Sequence, residues 1–299
     1  MKKQFTYGII ISAALVIGVS GGVIFKRVIT PPQEVYDGFN PQALKPDCNK
    51  IISEIETYRG SDFENAFNAN KLINFALEKY RQCENCYWFC YGLADTFVKQ
   101  DIRSAQIKNG NKYFEESTSK SSAVAISNRM YQEGKDGAIN LYDCGDKGRI
   151  TIDGDNVNTV FTNTTPTQYT KEEYSNLFGR SLDEMFIYLI CEETILEENI
   201  TKNGSDFIVT VDLDPKYSTF LYKNQMKNIS NLDCLPSFSA VNLTFTLTNA
   251  LRLKQLHVEE DYVATMKVAA PTHGTVDYYY FPDQFLQIPE LNESLAYHR

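Results

Sequence analysis

The stretch AVNLTFTLTNALRLKQLHVEEDYVATMKV, residues 240–268, decides the fold. It reads as three short strands, 240–247, 251–258 and 261–268, rich in β-branched and aromatic residues and broken at Asn249-Ala250 and Glu259-Glu260, with a fourth strand, 275–285, behind them. Upstream, Phe207, Val209, Val211 and Leu213 alternate as one face of a half-buried strand, and Asn203-Gly204 joins that strand to 194–201 as a hairpin. The first half of the chain repeats the pattern. The apolar strand 87–91 is followed by hairpin signals at Asn109-Gly110 (between 102–108 and 111–116), Gly134–Gly137, Gly145–Gly148 and Asp153–Asn156 (between 149–152 and 157–161).

Helices punctuate this order. Asp47 is a candidate cap for a helix over 48–58, and 64–82 places Phe67, Leu72, Phe75, Leu77 and Tyr80 at spacings that share an apolar face. Thr170 with Glu173 and Ser181 with Glu184 have capping-box spacing and predict two short helices ending near Ile190. Asp214-Pro215 places a capping side chain before a first-turn proline, predicting a helix to about Asn228. About ten antiparallel strands interrupted by helices, without βαβ alternation, predict an α+β fold. The expected form is a single strongly curved antiparallel sheet, a half-barrel, with helices on its concave face, preceded by one N-terminal transmembrane helix. Two stacked domains are the alternative.

A strand ending in Asp212-Leu213-Asp214-Pro215 leads into a helix. Phe245-Thr246-Leu247-Thr248 comes next with its short turn, Glu260-Asp261-Tyr262 opens the next strand, and Ile288-Pro289-Glu290 closes the domain. In these features, and loosely over residues 64–290, the chain resembles the bacterial family of outer-membrane lipoprotein carriers and its relatives. That resemblance implies a half-open β-barrel lidded by helices and holding lipid or acyl chains. The chain departs from the family in its N-terminal anchor and its seven cysteines.

The N-terminus bears on compartment. Residues 4–25 are 22 positions without a charge, and 7–25 (YGIIISAALVIGVSGGVIF) is apolar or small except for two serines. At 1.5 Å per residue this nearly spans a hydrocarbon core of about 30 Å, and Lys26-Arg27 stops it. A cleaved signal peptide, with small residues at Val19-Ser20-Gly21, and a buried core helix are the competing readings. With no cysteine near its end, the run is not of the lipid-modified lipoprotein type. The expected division is a transmembrane signal-anchor at 1–28, a linker at 29–46 that Pro31, Pro32, Pro41 and Pro46 make extended, and an extracytoplasmic domain at 47–299.

Charge excludes one class of partner. The net charge is −9, but Lys2, Lys3, Lys26 and Arg27 flank the apolar run; without them 25 basic residues face 38 acidic ones, a balance of −13. With no basic cluster downstream of Arg27, nucleic acid is not an expected partner.

Little catalytic chemistry is legible. No nucleophile elbow, zinc-protease helix, phosphate loop or dinucleotide fingerprint occurs, so neither an enzyme nor a cofactor is expected. His273 reads as a turn residue and His257 as a strand end, both solvated. Asp153-Gly154-Asp155-Asn156 lacks calcium-loop spacing and reads as a hairpin. Adjacent carboxylates such as Glu197-Glu198 point to opposite sides of a strand and do not converge. Cys83-x-x-Cys86 with Cys90 lacks a fourth metal ligand; Cys83 and Cys86 are a disulfide candidate or plain buried thiols.

Aromatic residues carry the functional expectation. Tyr occurs 19 times and Phe 18, and a wide concave sheet surface lined by such side chains suits a ligand tail, although they equally fill an ordinary core. Phe75, Trp88, Phe114, Phe220, Phe245 and Tyr279 are the candidate apolar lining. Tyr278–Phe281 puts aromatics on both faces of one strand, so part of the run meets a partner or a covering helix. The expectation is a membrane-tethered extracytoplasmic binding protein of the bacterial cell envelope, single-pass through 7–25, holding a lipid or other apolar ligand. The alternative is an envelope interaction module with a filled core, contacting another envelope protein.

Overall fold

The computed structural model describes residues 34–36, 38–121, 125–143, 166–184, 186–230, 232–266 and 268–288. The anchor at 7–25 and the hairpins at Gly145–Gly148 and Asp153–Asn156 lie outside the described residues. Among the described residues, no helix is long and apolar enough to cross a membrane.

Helices α1 (Pro41–Leu44), α2 (Cys48–Thr57), α3 (Phe63–Ala66) and α4 (Ala69–Arg81) come first. Strands β1 (Asn85–Asp95), β2 (Lys99–Asn109), β3 (Lys112–Lys120), β4 (Ala125–Lys135), β5 (Ala138–Asp143) and β6 (Thr167–Thr170) come next, then α5 (Lys171–Phe178). Strands β7 (Ile195–Asn203) and β8 (Asp206–Leu213), helix α6 (Phe220–Ser230), and strands β9 (Ser237–Leu247), β10 (Leu253–Met266) and β11 (Val268–Pro282) complete the order. Among the described residues, eleven strands form one antiparallel sheet in the order β6-β5-β4-β3-β2-β1-β11-β10-β9-β8-β7. The first meander runs outward from β1 and the second runs inward to β11, so the first and last strands pair at the centre, with Trp88 opposite Tyr280 and Cys90 opposite Tyr278. The sheet is not closed into a barrel, and β6 and β7 are its edges. The predicted α+β class and single antiparallel sheet hold at this level.

Local chemistry explains much of it. Asp136 and Gly137, at φ 52° and 82°, form the left-handed two-residue turn that matches strand twist between β4 and β5. The Asp47 carboxylate accepts from the Lys50 amide at 3.1 Å and starts α2, as expected. The expected helix 64–82 is two helices, because Asn68 adopts extended dihedrals and caps a new start by accepting from the Lys71 amide at 3.1 Å. At α5 the capping box of Thr170 and Glu173 is complete. Gly179 ends that helix at φ 68°, where a Cβ would lie 2.7 Å from the Leu221 carbonyl oxygen, so the close approach of α5 to α6 requires glycine. Thr170→Ala is expected to lower stability by about 1 kcal/mol, read as a shift in denaturation midpoint; an unchanged midpoint would leave the cap without energetic weight.

Three expectations are corrected. The second capping box does not start a helix. Glu184 reaches back to the Ser181 amide at 3.4 Å and one turn forms, but the Arg180 guanidinium takes the Glu184 carbonyl at 3.1 Å. Ile187 through Cys191 then run through the interior with every side chain buried, which no amphipathic helix would do. Glu259-Glu260 is not a turn either. β10 passes straight through it, with Leu256, Val258, Glu260, Tyr262 and Ala264 all turned inward, and the β10–β11 turn falls after Met266. His273 therefore lies within β11, opposite Asp261, and His257 lies within β10, opposite Asp277. Finally, Asp214 accepts from the Lys216 and Tyr217 amides at 2.8 and 3.3 Å, but this opens a run of turns and regular helix begins only at Phe220.

The core lies on the helix-covered face. Trp88, Cys90, Val276, Tyr278 and Tyr280 pack there with Leu72, Phe75 and Tyr80 of α4 and with Tyr222 and Met226 of α6. A smaller cluster of Ile107, Phe114 and Tyr131 sits on the opposite face, covered by Leu286 and Ile288 of the segment after β11. That segment is held down by the Asn109 amide donating to the Leu286 carbonyl at 3.0 Å.

Candidate functional site

A cavity of 460 Å³ opens between α4, the start of α2 and the 181–190 segment. Its floor is apolar and comes from four parts of the chain: Leu77 and Tyr80 on α4, Leu221 on α6, Leu253 on β10 and Tyr280 on β11. One wall is Phe186–Ile190, the buried run that replaced the expected helix. Its lack of regular structure is what leaves the space open above the sheet. The volume falls in the range of small-molecule sites, but the lining surface is polar and apolar in about equal parts, whereas such sites are mostly apolar.

The rim is charged: Lys45, Asp47, Glu78, Arg81, Asp183 and Glu184. Two ion pairs cross the mouth. The Arg81 guanidinium grips both oxygens of Glu78 at 2.6 and 2.7 Å, one turn back on α4, and reaches over to Asp183. The Lys45 ammonium meets Glu184 at 3.1 Å. Burial acts to raise the Asp183 carboxyl, but the Ser181 hydroxyl and the Arg81 guanidinium outweigh it and hold its pKa below the usual value. Four carboxylates against two cations leave the mouth acidic. Cys48 also faces the cavity, and burial raises its thiol pKa, which makes it a poor nucleophile.

Beneath the floor lies a second polar group. Glu260 is 1% exposed and accepts from the Tyr188 hydroxyl at 2.6 Å and the Tyr222 hydroxyl at 3.4 Å. Desolvation pushes its pKa up to about 8, against those hydrogen bonds, and the neighbouring Asp261 adds to the rise. Tyr188 both lines the cavity and holds Glu260, so the two are one polar element of the interior.

The candidate lining residues are not brought together. Phe75, Trp88 and Phe245 are in the main core, and Phe220 is half-buried at the start of α6 against Tyr36 and Phe39. Phe114 and Tyr279 are on the opposite face of the sheet. None of the six lines the cavity, whose aromatic floor is instead Tyr80 and Tyr280. The alternation read at Tyr278–Phe281 holds: Tyr278 and Tyr280 are buried, while Tyr279 and Phe281 stack on Phe89 and Tyr87 outside. Cys83 and Cys86 are both free buried thiols, and burial pushes Cys86 up to about 11. The i,i+3 spacing of Glu78 and Arg81 on a helical segment was the sequence signal for the rim. Nothing in the pattern pointed to Tyr188 or Glu260.

No protein-family model matches the chain, and no curated protein matches it. Among solved structures, an N-terminal dehydratase from the difficidin assembly line aligns at 7% identity with a TM-score of 0.14, covering 70% of this chain and 81% of that one. A fusion DH domain aligns at 11% identity with a TM-score of 0.14, covering 66% and 70%. These likenesses are too slight to carry argument.

Proposed function

We propose that the protein is a membrane-tethered extracytoplasmic binding protein of the bacterial cell envelope, anchored through residues 7–25 and holding a lipid or other apolar ligand. In this reading the sheet is a strongly curved half-barrel with helices on its concave face, in the manner of the lipoprotein carriers that the C-terminal third resembles. The observation that supports it is the 460 Å³ cavity, with an apolar floor of Leu77, Tyr80, Leu253 and Tyr280 beneath a charged rim. That arrangement suits an amphiphile whose chain lies on the floor and whose polar head meets the mouth.

A native mass spectrum of the full chain in mild detergent tests this. Co-purifying lipid is expected in the wild type and its loss in Ile187→Trp, which fills the cavity from the wall. Lipid retained equally by both proteins, or absent from both, overturns the reading.

A second reading, an interaction module of the envelope, is supported by the sheet's other face. There Phe89, Tyr279 and Phe281 stack together, with Tyr91 and Leu93 44% and 47% exposed beside them. An empty wild-type cavity together with a stable envelope partner lost in Tyr91→Asp would favour it.

A further inference from the structure

The segment before α2 does not hang free. Glu34 places a carboxylate oxygen 2.5 Å from the Lys223 ammonium, whose side chain is completely buried on α6. The same ammonium donates to the Tyr36 hydroxyl at 3.0 Å and the Pro215 carbonyl at 3.1 Å, so its three protons are used. Burial lowers the pKa of Lys223, while Glu34 opposes the fall. Around the pair, Tyr36 and Phe39 pack on Phe220 at 4.9 and 5.0 Å between ring centroids, and Phe39 also packs on Tyr217 at 4.9 Å. At its far end the segment becomes the cavity's rim: Lys45, Pro46 and Asp47 line it, and Lys45 bridges the mouth to Glu184.

We propose that residues 34–36 and 38–46 form a strap that gates the cavity, latched to α6 by Glu34–Lys223 and to the opposite wall by Lys45–Glu184. This rests on reading the cavity as a ligand site. The buried pair sets the strap's closed position because, once Glu34 leaves, Lys223 is a buried cation that has lost its hydrogen-bonded carboxylate and keeps only the more weakly acting Asp214 nearby, a state the domain avoids. The latch also sets the reach of the tether. Six residues separate Arg27 from Glu34, at most about 25 Å of extended chain, whereas a free segment as far as Asp47 would reach about 70 Å. Released, the strap opens the mouth.

The test is hydrogen–deuterium exchange on the full chain in detergent micelles, comparing wild type, Glu34→Gln and Lys223→Met. The second variant removes the buried charge along with the latch, so it separates opening from the penalty of an unpaired cation. Both are expected to exchange about tenfold faster over 38–46 and over 181–190, with β9–β11 unchanged. Acceleration limited to the first few strap residues, acceleration in β9–β11 as well, or an effect in Glu34→Gln that Lys223→Met does not reproduce would each overturn the strap. The ligand reading is separated by loading the same proteins with oleate and timing its replacement by deuterated oleate in native spectra. Faster replacement in both variants supports the gate acting on a ligand. Faster amide exchange with no oleate held by any of the three proteins upholds the strap and overturns the ligand reading instead.

Discussion

Glu260→Gln is expected to match the wild type near pH 4.5 and to exceed it in stability by several kcal/mol at pH 9. Glu260 is an acid whose folded pKa, about 8, lies above its ordinary value of 4.5. The fold therefore favours its protonated form. Its contribution to stability is fully present below pH 4.5 and is lost as pH rises through the window to 8, at a slope of about 1.4 kcal/mol per unit, and the loss is complete above. Glutamine has no proton to lose, so the variant lacks this slope, and its amide oxygen can accept from Tyr188 as the acid does. Ionisation is resisted because the side chains packed around Glu260 exclude water from it, an effect that outweighs the Tyr188 and Tyr222 hydroxyls, which donate to the carboxylate and favour the anion. Tyr188 comes from the 181–190 segment, Tyr222 from α6, Tyr262 from β10 and Tyr278 from β11, and the nearby Asp261 is itself an anion. Gly274 stands opposite on β11, where a Cβ would lie 3.2 Å from the Glu260 Cγ, so the missing side chain makes room for the acid. Denaturant midpoints of both proteins at pH 4.5, 7 and 9 decide it; parallel profiles would mean that Glu260 is ionised in the fold without penalty.

This residue also marks where sequence reading stopped. Strand pairs joined by tight turns were legible because backbone chemistry is local, but only to within a residue: the turns are Gly110-Asn111, Asp136-Gly137 and Gly204-Ser205, so Asn109 and Asn203 end their strands instead of turning, and the signal at Gly134–Gly137 narrows to its last two residues. The Thr170 capping box is local too, and it formed as read. Glu259-Glu260 misled because two charged residues in a row look like a turn, and only the tyrosines brought from other elements make an inward Glu260 tolerable. Ser181 misled for the same reason from the other side. Its capping chemistry is present, but Arg180 and the buried run 187–191 decide the path of the chain beyond it, and both depend on partners far away in sequence. Two of the six candidate lining residues are on the other face: Phe114 and Tyr279 belong to strands whose inward parity is set by the pairing, which composition does not reveal, whereas Phe75, Trp88 and Phe245 point inward but fill the packed core. The cavity itself is made where α4, the start of α2 and an irregular segment fail to meet, and such a gap has no pattern in the chain.

Arg180→Met is expected to be the most damaging single change argued from the core, lowering stability by about 3–5 kcal/mol, the usual penalty for stranding a buried charge. The guanidinium is 1% exposed and meets Glu115, 4% exposed, at 2.7 Å. Glu115 also accepts from the Gln106 amide, whose oxygen in turn accepts from the Trp88 indole at 3.2 Å. Removing the arginine strands the Glu115 carboxylate inside this network, whereas Glu115→Gln strands the cation. The double variant Arg180→Met with Glu115→Gln strands neither and keeps a neutral partner for Gln106, so at least half of the loss is expected to return. Denaturant midpoints for the four proteins of this cycle give the coupling directly, and additive losses would show that the pair is not energetically linked. The pair also bears on the cavity. Because Arg180 holds the Glu184 carbonyl at 3.1 Å, it fixes the turn that carries both Asp183 and Glu184 to the mouth. The double variant, stable but without that hold, is therefore expected to exchange amide protons faster over 181–184 while β1–β3 remain protected. Slow exchange there would place the order of the rim in Arg81 and Lys45 alone.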